Sequence, residues 1–193
     1  MELYKTLEEL SDKVSKLRNH VATEEATKTA FVLPFLVSLG YDIHNPLEVI
    51  PEIDCDIRKG DKVNYAINIG FKPAMIVECK QCEKSLDVFV LQLAKYYVTT
   101  KVRFAILTDG IEYCFFSDMD RTNLMDSKPF SVFDISSFDK HDVELIASFE
   151  KYHYTAIKHK KPQINRKSEI TCLQLVENLR NRKFSGTPMR RVP

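Results

Sequence analysis

Two apolar, β-rich runs joined by a short connection constrain this chain more than any other part of it. They form the segment VNYAINIGFKPAMIVECKQC, residues 63–82. The runs KVNYAINI and PAMIVECK are typical of strands, and Gly70 lies between them, where a tight turn favours glycine. A hairpin centred at Phe71 sets position 64 opposite position 78. The segment therefore predicts an antiparallel hairpin with Asn64 and Glu78 side by side.

A carboxylate and an ammonium lie two residues apart at the end of the second run, at Glu78 and Lys80. Side chains at this spacing share one face of a strand. Since an unpaired buried charge is costly, one interpretation is a structural ion pair. The other is catalytic. Phosphodiester hydrolysis uses carboxylates to hold a divalent metal, and a nearby lysine can stabilise the negative charge that develops.

Helical patterns precede this hairpin. Residues 2–20 have apolar side chains at alternating steps of four and three, which predicts an amphipathic helix. A second helix is predicted from the N-cap Thr23 to Gly40, with a kink at Pro34. The stretch LEVIPEIDCDI that follows is interpreted as irregular, extended chain.

Alternating patterns follow the hairpin. Ser85 is predicted to cap a helix over LDVFVLQLAKYYVTT, which is apolar nearly all round and should therefore be buried. A strand, an Asp-Gly turn and another strand are predicted over RFAILTDGIEYCFFSD. A short edge strand is predicted over FSVFDI, and a helix over DKHDVELIASFEKYHY. This order predicts an α/β fold with a mixed central β-sheet flanked by helices.

Charge divides the chain into two parts. Residues 158–193 contain ten Lys/Arg and two Asp/Glu, a net charge of +8. Residues 1–157 contain the remaining 18 Lys/Arg and 25 Asp/Glu, a net charge of −7. We therefore expect a domain over 1–157, followed by a basic linker, a helix and a tail over 158–193. A basic tail favours a phosphate-rich partner, or it is a solvated tail or part of a neighbouring domain.

The cysteines and the hydropathy indicate the compartment. Five cysteines at irregular spacing, with no secretory signal, favour a reducing, cytoplasmic setting. Cys79 and Cys82 form a CxxC that has no second pair to complete a zinc site, so we interpret them as ordinary thiols. No apolar run approaches the ~20 residues of a membrane span, so no membrane partner is expected.

Several motifs in order resemble a known family. EVIPE, VNYAI, PAMIVECK, LQLAKYY and AILTDGIEYCFFSD follow TEEATKTAFVLPFLVSLGYD. Together they resemble the N-terminal nuclease domain of type I restriction endonuclease R subunits, in the PD-(D/E)xK superfamily, and most closely its small stand-alone phage and bacterial relatives. The resemblance covers residues 1–157. It implies a restriction-endonuclease-like fold and a DNA endonuclease that uses Mg²⁺, or alternatively Mn²⁺.

The resemblance also implies roles for individual residues. The implied metal ligands are Glu24, Asn64, Glu78 and the backbone carbonyl of Cys79, and the implied catalytic residues are Asn64, Glu78, Lys80, Gln92 and Tyr96. The last two match a Q-x-x-x-Y pattern and lie four residues apart, on one helix face. Simpler interpretations stay open, because Gln92 and Tyr96 could be core residues and Glu24 a first-turn acid.

The chain departs from the family pattern at Asn64, where the family has V-D-Y-A-I. Asparagine keeps one carbonyl oxygen but lacks the charge of aspartate, so metal binding should be much weaker. Three explanations stay open: a substitution made to trap an inactive enzyme, a natural relative that binds without cutting, or replacement by Asp61 or Asp56. Asp61 is three residues from Asn64, and strand alternation puts it on the opposite face.

The predicted function is a Mg²⁺-dependent DNA endonuclease-like activity that hydrolyses phosphodiester bonds, subject to the effect of Asn64. The alternative is a non-catalytic nucleic-acid- or protein-binding module of a phage or defence system. DNA is the expected partner. A homodimer, and a protein partner bound through the basic C-terminal tail, stay open. No GxxxxGK[ST] motif is present, so the chain itself should not need ATP.

Overall fold

A six-stranded mixed sheet with helices on both faces forms the core of the protein. The structure is a computed structural model that describes residues 2–55, 61–70 and 72–153. The strands are β1 (Val49–Asp54), β2 (Lys62–Ile69), β3 (Lys72–Cys79), β4 (Phe104–Thr108), β5 (Glu112–Phe116) and β6 (Ser131–Asp134). They lie in chain order, and only β3 and β4 run parallel. The predicted mixed sheet is confirmed.

Two helical layers cover the sheet. The helices are α1 (Glu2–Leu17), α2 (Glu24–Thr27), α3 (Leu33–Ser38), α4 (Val90–Thr100) and α5 (Lys140–Ala147). The larger apolar core lies between one face of the sheet and the helices α1, α3 and α5. The smaller core lies between the other face and α4, which is the crossover that joins the parallel strands β3 and β4.

The β2–β3 hairpin has the predicted register. Tyr65 pairs with Val77 and Ala66 with Ile76, which sets Asn64 opposite Glu78 at the next position along the ladder. The backbone N–H of Asn64 donates to Oε2 of Glu78 at 3.3 Å. Spacing alone therefore predicted this adjacency correctly. A register shift next to Ile67 shortens the connection that follows.

The second predicted helix consists of three pieces. Thr23 caps α2 as predicted, because its hydroxyl oxygen accepts a hydrogen bond from the backbone N–H of Ala26 at 3.1 Å. A π-helical stretch, Lys28–Val32, then separates α2 from α3. Pro34 lies in the first turn of α3, where its missing N–H is tolerated. The helix is therefore irregular in the π-helical turn before Pro34, and not at Pro34 itself, where a kink was expected.

Three further predictions needed correction. Part of the segment interpreted as irregular is the edge strand β1. Ser85 does not cap α4, which begins after a 3₁₀ turn at Asp87–Phe89 and has no side-chain cap. The apolar contacts of Leu86 and Leu93 with the smaller core fix the helix instead. Nor is α4 buried all round, since Leu91 on its outer side is exposed.

The later elements agree with the sequence. An Asp-Gly turn joins β4 to β5, with Gly110 at φ +83°. The short strand β6 forms the edge of the sheet, as expected from FSVFDI. Helix α5 begins with a capping box formed by Asp139 and Asp142. The predicted division at residue 157, the tail over 158–193 and Asp56 lie outside the described residues.

Candidate active site at the ends of β2 and β3

The candidate site lies at one end of the sheet, where β2 begins and β3 ends. Asn64 and Glu78 occupy this end, and both are buried. Met75 and Val77 of β3 pack in the larger core, whereas Ile76 packs in the smaller one. Since side chains alternate along a strand, Glu78 is directed to the α4 side of the sheet.

Glu78 and Lys80 form an ion pair. Nζ of Lys80 donates to Oε1 of Glu78 at 2.7 Å, and both side chains are largely removed from water. The ammonium also lies 4.7 Å from the centre of the Phe89 ring, a cation–π distance. The lysine is thus fixed between a carboxylate and an aromatic face. This geometry is compatible with both the structural and the catalytic interpretation of the pair.

Asn64 connects three segments of the chain. Its Oδ1 accepts a hydrogen bond from the backbone N–H of Cys79 at 2.7 Å. Its Nδ2 donates to Oε1 of Glu24, at the start of α2, at 3.1 Å. The amide therefore uses its acceptor and one donor where the family pattern has a carboxylate. Aspartate could keep the first contact, but it would place a second negative charge beside Glu24.

The electrostatics of Glu78 reflect its burial. Removal from water raises the pKa of this carboxyl group above its ordinary value. The hydrogen bond and charge of Lys80 and the backbone N–H of Asn64 oppose that shift, and the charge of Glu24 adds to it. Two carboxylates, those of Glu24 and Glu78, thus interact at this end of the sheet, and the ammonium of Lys80 contacts the second of them.

Gln92 and Tyr96 lie on one face of α4 and contact each other. Nε2 of Gln92 donates to the hydroxyl of Tyr96 at 2.7 Å. Burial raises the pKa of Tyr96, the hydrogen bond from Gln92 lowers it, and the negative charge of Glu78 contributes a further rise. The tyrosine is therefore within electrostatic range of the carboxylate. No hydrogen bond between this pair and Glu78 or Lys80 is present among the described residues.

Sequence reasoning missed a second buried ammonium near the site. Lys28 is only 5% exposed, and it pairs with Glu25 and, at 3.5 Å, with Oε1 of Glu52. Burial lowers the pKa of Lys28, but the hydrogen bond and the charges of the two glutamates outweigh this and raise it overall. The contact with Glu52 ties this helical segment to β1, whereas the pair with Glu25 lies within the segment. The one available signal was that Lys28 follows Glu24 by four residues, on the same helix face.

Glu52 lies opposite Asn64 in the β1–β2 register. Pro51 pairs with Tyr65 and Ile53 with Val63, while Glu52 between them has φ +53° and takes no place in the ladder. A positive φ is uncommon for a residue with a side chain. This local distortion accompanies the contact of Glu52 with Lys28. No sequence pattern indicated it, because the partners are 24 residues apart.

The donor set fits a magnesium ion only in part. Mg²⁺ favours carboxylate oxygens, and Glu24 and Glu78 provide two carboxylates. The third position carries the amide of Asn64, whose nitrogen presents protons and whose oxygen is occupied by Cys79. Within residues 2–55, 61–70 and 72–153, no group of three His, Cys, Asp or Glu side chains could hold a metal ion.

Fold and site together define a domain of the restriction-endonuclease-like class. The family described as the type I restriction enzyme R protein N terminus matches residues 23–130. The match spans more than half of the chain, and the chain belongs to this family. It includes the helix that begins at Glu24, the β2–β3 hairpin and α4. The predicted family is therefore confirmed, and with it a nuclease-like relationship.

A solved structure supports the fold. The chain is similar to the cryo-EM structure of a DrdV–DNA complex, with a TM-score of 0.50 and 14% sequence identity. The likeness covers 84% of this chain but only 14% of that chain, so the protein spans about a seventh of its neighbour's length. At this identity the likeness shows the fold alone. A comparison with curated proteins finds no match. None of the described helices is long and apolar enough to cross a membrane.

Proposed function

We propose that this chain is a DNA endonuclease-type domain that hydrolyses phosphodiester bonds, and that Asn64 limits its metal binding. One observation carries the proposal. Three segments of the chain meet at one end of the sheet and bring together Glu24, Asn64, Glu78 and Lys80. A chain of hydrogen bonds connects them, from Glu24 to Asn64, from Asn64 to Glu78 and from Glu78 to Lys80. Membership of the restriction-enzyme R protein family supports the same function.

Lys80 would act on the phosphate group. Its ammonium is held 2.7 Å from Glu78 and lies over Phe89, so its position is fixed before a substrate arrives. A fixed positive charge stabilises negative charge that develops on a phosphoryl oxygen, at little reorganisation cost. Tyr96, with its hydroxyl held by Gln92, would be a neutral hydrogen-bonding group for the same phosphate or the DNA backbone.

Mg²⁺ or Mn²⁺ is the cofactor that this function implies. When bound, such an ion polarises the phosphoryl oxygen and activates water. Glu24, Glu78 and the backbone carbonyl of Cys79 are the oxygen donors we assign to it. Because the amide of Asn64 supplies no charge, the native sequence should bind the ion weakly, and we expect low or no cleavage by the chain as it stands.

A cleavage assay tests the proposal. Plasmid and single-stranded DNA are incubated with Mg²⁺ or Mn²⁺ and with the native chain, Asn64→Asp, or Asn64→Asp combined with Glu78→Ala. We expect cleavage by Asn64→Asp and its loss in the double variant. If none of the three proteins cuts while a gel shift still shows DNA binding, the endonuclease proposal is wrong.

A non-catalytic binding module is the second candidate. The observation that favours it is that both the oxygen and the nitrogen of the Asn64 side chain are hydrogen-bonded, which links Glu24 to Cys79 without a metal ion. A module of this kind would use the fold to bind nucleic acid or a protein, and divalent ions would leave its thermal stability unchanged even in the Asn64→Asp variant. The metal dependence of unfolding therefore separates the two candidates.

A further inference from the structure

Strand β2 changes the faces of its side chains at Asn64. Tyr65 packs in the larger core, whereas Val63, two residues before it, packs in the smaller core. On a regular strand two residues at this spacing share one face. The strand is therefore rotated locally at Asn64. From this position the side chain reaches β3 with its oxygen, at the N–H of Cys79, and α2 with its nitrogen, at Glu24.

The neighbouring strand β1 changes faces at Glu52, the residue that lies opposite Asn64. Val49 packs in the larger core and Ile53 against the smaller one, although residues four apart on a regular strand also share one face. Glu52 lies between them with φ +53°, and the ladder has no pair at this position. The bend at Glu52 thus accompanies the rotation at Asn64.

The carboxylate of Glu52 contacts a buried ammonium. A left-handed backbone is unfavourable for a residue with a side chain, and it persists only where the surrounding structure determines it. The side chain of Glu52 is 50% exposed, so its own burial does not hold it in place. Its Oε1 lies 3.5 Å from Nζ of Lys28. Among the residues that the structure describes, this ammonium is the one partner of the Glu52 carboxylate.

The helical segment that carries Lys28 also carries Glu24. The two residues are four apart, on one face of the helix. They make two adjacent contacts with facing positions of the β1–β2 pair, Lys28 with Glu52 and Glu24 with Asn64. Glu25 pairs with Lys28 within the segment, which leaves Glu24 as the carboxylate that Asn64 contacts.

We infer that Lys28 is a positioning residue for the candidate active site. By holding Glu52, its ammonium fixes the bend in β1, the rotation of β2 at position 64 and the approach of Glu24 to that position. Lys28 does not touch the reacting groups and acts through these neighbours. Its consequence for DNA cleavage rests on the proposed function, whereas its effect on the contact between Asn64 and Glu24 does not.

The charge of Lys28 matters as well as its volume. A buried ammonium is costly unless it is paired, so an apolar side chain would be the simpler choice if the position only required packing. Methionine would fill much of the same space but would not attract the carboxylate of Glu52. The ammonium also offsets negative charge at an end of the sheet that carries the carboxylates of Glu24 and Glu78.

NMR follows the contact between Asn64 and Glu24 directly. In the isotope-labelled native chain, the side-chain amide of Asn64 gives a pair of nitrogen–proton signals, which are assigned by their absence from Asn64→Asp. Because Nδ2 donates to Glu24 and Asn64 is buried, we expect these protons to exchange slowly with water. Glu24→Ala removes the acceptor and gives the exchange rate of the released amide.

Two substitutions at the partners of Lys28 form a matched pair. Glu52→Gln weakens the contact with β1, whereas Glu25→Gln weakens the pair within the helical segment. We expect Glu52→Gln to speed the exchange of the Asn64 amide about tenfold or more, Lys28→Met to do the same, and Glu25→Gln to leave it unchanged. The side chains of Glu25 and Glu52 are 81% and 50% exposed, so neither substitution disturbs the core.

Two results of the exchange experiment would overturn the inference. One is exchange of the Asn64 amide at the native rate in both Lys28→Met and Glu52→Gln. The other is exchange that Glu25→Gln speeds as much as Glu52→Gln does. Neither result depends on DNA cleavage or on a metal ion.

Cleavage of plasmid DNA tests the consequence for the reaction. In the Asn64→Asp background with Mn²⁺, Glu52→Gln should lower kcat about tenfold or more and leave KM for DNA unchanged, because it misplaces Glu24 without removing a DNA contact. Glu25→Gln in the same background should retain both constants.

The two experiments separate failure of the inference from failure of the proposed function. If Asn64→Asp does not cut DNA, the proposed function is wrong, and the amide exchange still decides whether Lys28 positions Asn64 and Glu24. If Asn64→Asp cuts and Glu52→Gln alters neither kinetic constant, Lys28 has no positioning role in the reaction and the inference is wrong.

Discussion

The side-chain amide of Asn64 donates a hydrogen bond to the carboxylate of Glu24, with Nδ2 and Oε1 3.1 Å apart. This contact joins the start of β2 to the start of α2. It also places a proton-bearing nitrogen at the position where the family pattern has a carboxylate. Residue 64 thus decides whether this end of the sheet carries two interacting carboxylates or three.

The first prediction concerns Asn64→Asp. Without divalent ions, the variant should be about 1–3 kcal/mol less stable than the native chain, because a hydrogen bond to Glu24 is replaced by repulsion between two carboxylates. With Mg²⁺ or Mn²⁺ at about 100 times the dissociation constant, it should gain about 2.7 kcal/mol. Thermal unfolding in EDTA and in each metal salt measures both effects.

Asn64→Ala is the control for that experiment. It removes the contact with Glu24 without adding a charge, so metal salts should not stabilise it. If the native chain and Asn64→Asp were stabilised equally by Mg²⁺, residue 64 would not be a metal ligand and the assignment of the site would need revision.

The second prediction concerns Gly110 in the β4–β5 turn. A Cβ at this position would lie 2.8 Å from Cγ2 of Thr27 and 2.9 Å from Cβ of Phe31, and φ is +83°. Gly110→Ala should therefore cost about 2–4 kcal/mol, from about 1 kcal/mol of backbone strain and 1–3 of overpacking. Denaturant unfolding measures the loss.

Gly40 provides a matched comparison for Gly110. It also has φ +83°, but an added Cβ would meet only side-chain atoms at 3.8 Å. Gly40→Ala should therefore show the backbone cost alone, about 1 kcal/mol. Equal losses at the two positions would contradict the packing of the turn against the helix that follows Glu24.

The third prediction concerns the buried ammonium of Lys28. Lys28→Met should destabilise the protein by about 1–2 kcal/mol, since it leaves Glu25 and Glu52 without their partner, although both can turn to water. Lys5→Met is the control. Lys5 pairs with Glu9 at 3.8 Å and both side chains are exposed, so its loss should cost less than about 0.5 kcal/mol.

The pH dependence of the Lys28 effect follows from the sign of its pKa shift. The pKa of Lys28 in the folded protein lies above its ordinary value. The ammonium form therefore stabilises the fold fully at pH values below the pKa of the lysine in the unfolded chain, and this stabilisation is lost as the pH rises through the folded pKa. The difference between the native chain and Lys28→Met should therefore persist from about pH 6 to 9 and decrease above about pH 10.5. Chemical denaturation over this pH range measures it. If, as the pH is raised, the stability difference between the two proteins were already lost before pH 9, the ion pairs of Lys28 would be contradicted.

The fourth prediction concerns the thiol of Cys82. Burial, followed by the charges of Asp109 and Glu83, raises its pKa to about 11. At pH 8 only about 0.1% of it is thiolate, against roughly a quarter of an ordinary thiol. Alkylation by iodoacetamide, followed by peptide mass spectrometry, should be slow at pH 8 and about tenfold faster for each pH unit up to 11. Labelling at pH 8 as fast as in the urea-unfolded protein would contradict the burial and the raised pKa of the Cys82 thiol.

Local spacing allowed several elements to be predicted from the sequence. The period of two along a strand, with a turn at Gly70, is enough to place Asn64 beside Glu78. The cap at Thr23 and the Asp-Gly turn before β5 depend on a few neighbouring residues and their preferred backbone angles. The family resemblance of the motifs supplied the class of fold. The metal and catalytic roles of the site residues remain predictions.

Other features depend on contacts between distant segments, and only the tertiary structure decided them. The pairing of Lys28 with Glu52 and the position of Phe89 over Lys80 depend on how α2, β1 and α4 meet, and no local period encodes that arrangement. The apolar composition of α4 indicated burial on all sides, but one sheet can cover only one side of a helix. The sequence by itself therefore determined the hairpin and the residues available to the site. Packing between layers decided which charges pair there and which apolar face remains open.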